Sequence, residues 1–180
     1  MKKRTVLLSL VSFVAPLFLG CSGAEAPTTT PPPAAAAAMS ADVSARVEAS
    51  LADYASLQGA LAADRLADVA GIAARLAASA NAAREGAPTP VSGRLGEMAT
   101  AAASLQAGGS DDDQRRAFGE ISRAVVSLLS ENAALTKGRK VYQCPMAQGY
   151  KKWVQKGDQI ENPYMGARML RCGSASEWRP

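Results

Sequence analysis

Sulfur gathers near the C-terminal end of this 180-residue chain, which contains no histidine at all. Cys144-Pro145-Met146, Asn162-Pro163-Tyr164-Met165, Met169 and Cys172-Gly173 fall within one short basic segment. Thiolates and thioethers are soft ligands that select Cu(I), and by the same logic Ag(I), over harder ions. The candidate site is Cys144 and Cys172 as thiolates, Met165 or Met169 as third ligand, and Met146 nearby. Zinc is a poor fit, because a structural zinc site wants four Cys, His or carboxylate ligands. Trp153 offers a ring face that could cap an ion, or a core anchor. The same two cysteines, with 27 residues between them, equally suit a disulfide that braces the segment while the methionines fill gaps in a small core. From the residues alone both outcomes stay open, and they are compatible: a reduced pair holds Cu(I) and an oxidised pair releases it. A thiol-exchange role ranks last, since the Cys-x-x-Cys spacing is absent.

Other chemistry finds little support. Without histidine no Ser–His or Cys–His nucleophile can be assembled, and no carboxylate pair marks a cleft, so an enzyme is not expected. Asp111-Asp112-Asp113 lacks the alternating ligands and turn glycine of a calcium loop and reads as the start of a helix, where acids meet the macrodipole favourably. No small-molecule substrate is evident.

The compartment decides what the cysteines do. Lys2, Lys3 and Arg4 precede a short apolar run from Thr5 to Leu19, an export signal too brief to span a bilayer comfortably. Leu17-Phe18-Leu19-Gly20-Cys21 matches a bacterial lipobox, so residues 1–20 are expected to be a lipoprotein signal and Cys21 the lipidated N-terminus. Ser22 after it leans toward the outer membrane. Residues 21–40 form a Pro/Ala/Thr-rich linker of the extended, stiffish kind. The expected setting is the bacterial cell envelope, where disulfides can form.

Residues 41–136 must carry the site. Ser40 can cap a first helix with Val43, Val47, Leu51, Tyr54, Leu57 or Gln58, and Leu61 on one face. Asp64 is expected to cap a second, with Leu66, Val69, Ile72 or Ala73, Leu76 and Ala80 inward. After Gly86-Ala87-Pro88-Thr89-Pro90 a third carries Val91, Leu95, Met98, Ala102 and Leu105. The fourth runs from Ser110 through Phe118, Ile121, Val125 and Leu128 to Asn132 and Leu135. Short connections favour antiparallel neighbours. The fold class expected is all-α, an up-down antiparallel four-helix bundle with an irregular Cys/Met-containing extension over residues 137–180. In that extension Val141-Tyr142-Gln143 is strand-like, and Cys144 and Met146 would share a face. A helical turn over Gly166–Leu170 would align Met165 with Met169, and Cys172 three residues on.

Charge divides unevenly. Cys21–Thr136 has 8 basic and 13 acidic residues, whereas Lys137–Pro180 has 9 basic and 3 acidic. The near balance beyond the signal gives no argument for nucleic acid, and a basic tail docking on an acidic body is the simplest expectation.

Taken together, Tyr54-Ala55-Ser56-Leu57, Ala60-Leu61-Ala62-Ala63-Asp64, Gln114-Arg115-Arg116-Ala117-Phe118, Cys144-Pro145-Met146-Ala147, Trp153, Asn162-Pro163-Tyr164, Met165-Gly166, Met169-Leu170 and Cys172-Gly173 resemble the helical domain of unknown function associated with bacterial heavy-metal efflux. That domain occurs alone and appended to periplasmic adaptor subunits of copper and silver pumps. The resemblance covers roughly residues 41–174, and its specific part is the tail block. It implies metal handling in the envelope, with an efflux adaptor or pump as partner and the membrane reached through the anchor at Cys21.

Overall fold

Helix is set first by the spacing of apolar residues. In the structure, a computed structural model describing residues 39–106 and 109–180, α1 spans Ala41–Ala62, α2 Leu66–Ala83, α3 Thr89–Gln106 and α4 Asp111–Ser130. The signal, the lipidation at Cys21 and nearly all of the linker lie outside the described residues. Along α1 the buried Val43, Val47, Leu51, Tyr54, Leu57 and Leu61 recur at three and four residues, as a core-facing stripe requires. The Oγ of Ser40 accepts the Val43 N–H at 3.2 Å and closes the first turn. Ser110 and Asp113 form a reciprocal capping box at the head of α4. The hydrogen bonds from Ser110, side chain first and backbone second, hold the Asp113 carboxyl below the usual carboxylate range. Consecutive helices pack one on the next, whereas α1 meets α4 only lightly.

Asp64 departs from expectation. It sits at φ +54°, a conformation disfavoured for residues other than glycine, asparagine and aspartate, and α2 starts from Arg65 with no side-chain cap. Its carboxylate faces the tail instead. The fourth helix also ends early, at Ser130, where the Asn132 Nδ2 donates to the Leu128 carbonyl at 2.7 Å and competes with helical continuation. Leu135 reaches the core from a separate 3₁₀ turn over Ala133–Thr136.

The larger correction concerns the tail, which is not irregular. It forms a three-stranded antiparallel sheet in the order β2-β1-β3, from β1 Arg139–Gln143, β2 Lys152–Lys156 and β3 Ser174–Ala175. The chain is therefore mainly helical with a small sheet, not all-α. Val141 pairs with Val154 and Tyr142 with Trp153, so β-branched and aromatic residues meet across the ladder. The strand-like Val141-Tyr142-Gln143 lies in β1, but the strands are short and a loop from Cys144 to Lys151 rather than a tight turn joins β1 to β2, so sequence periodicity does not reveal the sheet. β2 packs on α4 and also meets α1, covering the side where those two helices barely touch. Trp153, Cys144 and Tyr164 belong to the same core as the helices, and body and tail are one compact unit.

Candidate functional site

The thiols owe their proximity to strand register. Cys144 directly follows β1, and Cys172-Gly173 directly precedes β3. Tyr142 pairs with Ala175 and Gln143 with Ser174, so the next step of the ladder sets Cys144 opposite Gly173. Both cysteines are free thiols, Cys144 fully buried and Cys172 half-buried. Burial pushes the Cys172 thiol up, and the neighbouring charge of Cys144 and a contact with its sulfur push it further. The two thiols are thus neighbours across the end of the ladder.

Gly173 makes the approach feasible. At φ +147° any Cβ there would lie 2.8 Å from Cη2 of Trp153 and 3.0 Å from the Gln143 carbonyl. Trp153 itself is a core anchor. It is wholly buried, stacks on Tyr142 at 5.7 Å, meets Tyr164 edge-on at 6.1 Å, and donates from Nε1 to the Gln155 Oε1.

The methionines divide. Gly166–Met169 is a 3₁₀ turn, and with three residues per turn positions four apart do not share a face. Met165 lines a cavity of about 230 Å³ together with Met146, Ala147, Gln148, Tyr164, Asp112 and three arginines. Met146 is the one large apolar side chain among the described residues that is exposed, at 57%. Met169 is half-buried and lines neither this cavity nor the adjoining one beside Asp64, and its carbonyl accepts the Cys172 N–H. Of the five sulfur candidates, the fold brings Cys144 to Cys172 and Met146 to Met165. Among the described residues no three Cys, Asp or Glu side chains converge on one point.

Around the sulfurs lies a polar joint that sequence reasoning largely missed. Asn162 is fully buried. Its Oδ1 accepts the N–H groups of Tyr164 and Met165, and its Nδ2 donates to the Cys172 carbonyl at 2.5 Å. The Arg115 guanidinium donates to the carbonyls of Leu61 and Pro163 and pairs with Asp64 at 2.5 Å. The other Asp64 oxygen accepts the Ala167 N–H at 2.9 Å. A Cβ at Gly166 would come within 1.8 Å of the Asp64 Oδ1, so this closure requires glycine. Gln58, on α1, donates to the Glu161 carbonyl. The Tyr54 hydroxyl contacts Ser122 at 2.8 Å and accepts the Val154 N–H, while Ser122 and Tyr164 both donate to the Lys152 carbonyl. The available signal was polar groups on apolar stripes: Tyr54, Gln58 and Ser122.

Opposite charge contributes little to docking. Among the described residues, Arg139 with Glu48 is the one ion pair joining a basic tail side chain to an acidic side chain of the body. The tail is held by its aromatic and hydrogen-bonded joint.

No family model, no curated protein and no solved structure matches the chain.

Proposed function

We propose that the protein is a lipid-anchored protein of the bacterial cell envelope, a binding protein and not an enzyme, that holds Cu(I) or Ag(I) through the Cys144 and Cys172 sulfurs. Its role would be sequestration of the metal or delivery to an efflux adaptor or pump, with the anchor at Cys21 keeping it at the membrane, most simply the outer one. The four helices are taken to run as an up-down antiparallel bundle, in keeping with their short connections.

The observation that carries this function is the pair of interacting thiols at one end of the β1–β3 ladder, one buried and one half-exposed. Two thiolates suffice for a soft monovalent ion, and the donor set contains no histidine or convergent carboxylates to favour a harder one. The raised Cys172 thiol means that metal must displace protons, so uptake should strengthen with rising pH.

A second reading is supported by the complete burial of Cys144 at the joint: a Cys144–Cys172 disulfide bracing the tail, with no metal. The discriminating experiment counts free thiols with and without reductant, then titrates the reduced protein with Cu(I) against a chromophoric chelator. Uptake of one Cu(I) per chain, lost in both Cys144→Ser and Cys172→Ser, is expected. A reduced, folded protein that leaves all copper on the chelator would leave the brace as the function of the pair.

A further inference from the structure

Met146 and Met165 come from separate segments, one after Cys144 and one after Tyr164, yet their side chains line a single cavity of about 230 Å³. Hydrophobic burial does not account for this arrangement, because Met146 is 57% exposed. Two unbranched, polarizable thioethers lining one cavity offer a neutral pair of soft ligands.

The surroundings say which ions it suits. Arg115, Arg116 and Arg168 line the same cavity with Asp112. Arg115 is paired with Asp64 and Arg116 with Asp113, which leaves Arg168 and Asp112 as opposite charges on the rim. Hard divalent cations need several oxygen ligands and would meet three guanidinium groups here. A soft monovalent ion draws its binding from sulfur and is less penalised. The wall between this cavity and the thiols is thin: Ala147 and Tyr164 line the cavity, and the Ala147 N–H donates to the Cys144 carbonyl.

We propose that Met146 and Met165 form a second, weaker soft-cation site, distinct from the thiol pair, where Cu(I) or Ag(I) lands before reaching Cys144 and Cys172. The inference deepens the metal-binding function above, but the thioethers can be tested independently of it. In the landing step the ion's bonds to water or to a carrier's ligand break as bonds to two thioether sulfurs form, its oxidation state does not change, and no proton is released because thioethers carry none.

The experiment titrates the reduced protein, labelled with methyl-¹³C methionine, with Ag(I) at neutral pH. Thiolate-to-silver absorbance in the ultraviolet reports the cysteines, and methyl resonances report the thioethers. Expected is that the absorbance saturates near the first equivalent and that the Met146 and Met165 methyls shift with the second. The methyl of Met98, buried in the helical core, should not move. Zn(II) and Mg(II) should leave all methyls in place. Met146→Leu with Met165→Leu, close in volume and so expected to fold, should weaken the second equivalent by about tenfold or more while sparing the first. Methyls of Met146 and Met165 that stay fixed through several equivalents would overturn the inference, whatever the thiols do. If the absorbance never appears yet these methyls shift at the first equivalent, the thioether site stands and the thiol site falls.

Discussion

The helical body and the sheet-bearing tail are stabilised by different means. Along α1 to α4 the buried side chains are mostly Ala, Val, Leu and Ile, distributed along four stripes. Three helical glycines, Gly59, Gly71 and Gly93, have nothing within 4 Å of the place a Cβ would occupy. Such a core tolerates exchange, because its stabilisation is divided among many similar contacts. In the tail a few large or polar residues each make several specific contacts. Trp153 touches two aromatic rings, Asn162 bonds three backbone groups, and Arg115 reaches across from α4 to join Leu61, Pro163 and Asp64. Where a short segment must be held in one geometry, directional contacts do what added apolar area cannot.

This contrast can be broken most forcefully at Trp153. Replacing it with alanine should cost about 3–5 kcal/mol, enough to unfold a marginally stable domain, and denaturant titration followed by circular dichroism would read it. If the helices survived with unchanged stability, tail and body would not share the core described above. Next in size is Arg115→Ala. It strands two partly buried carbonyls and one carboxylate, and a loss of about 2–4 kcal/mol is expected. Arg94→Ala, by comparison, removes surface ion pairs to Glu97 on α3 and to Glu131 at the end of α4 and should change stability by less than about 1 kcal/mol. Equal effects would erase the distinction between the regions.

Glycine sharpens the contrast by changing the sign of one substitution. Gly173→Ala must push on the Trp153 ring and the Gln143 carbonyl and should cost about 1–3 kcal/mol. Gly71→Ala, in open space on a helix, should stabilise by about 0.5–1 kcal/mol. Melting temperatures that move in the same direction for both would contradict the packing at the tail.

A gentler probe is pH. The Tyr150 hydroxyl is buried without a partner, and burial pushes its pKa from 10.0 to about 12 although Arg123, 5.2 Å from the ring centroid, pulls it down. Burial also raises Tyr54 and Tyr164. In the unfolded chain these phenols ionise near pH 10, whereas in the folded protein they stay protonated, so the unfolded state sheds protons first. The contribution of these phenols to stability should therefore be level below about pH 10 and fall as pH rises from there toward 12. Tyr150→Phe should flatten part of that slope, as seen in denaturation midpoints at several alkaline pH values. A slope unchanged by the substitution would mean that Tyr150 titrates like an exposed phenol.

The legible and illegible parts of the chain follow the same division. Helices α1 and α3 and the start of α4 could be drawn from the sequence, because their apolar spacing and the caps at Ser40 and Ser110 are local properties. The sheet could not: Val141-Tyr142-Gln143 reads as strand-like, but its partner Trp153-Val154 resembles many short apolar runs until the two find each other across the loop from Cys144 to Lys151. Asp64 looked like a cap because Asp commonly is one, and only the arrival of Arg115 and Ala167 gives its carboxylate a different use.

By itself the sequence determined that this protein has an Ala-rich helical body, a histidine-free group of Cys and Met sulfurs near one end, and no side chains from which a histidine-based nucleophile could be built. The type and local spacing of residues are enough for that. Which sulfurs meet was decided by tertiary structure alone. Strand register joins Cys144 to Cys172, a tight 3₁₀ turn separates Met165 from Met169, and a cavity brings Met165 to Met146. Proximity of this kind depends on pairings between distant segments, and residue spacing along the chain carries no record of them.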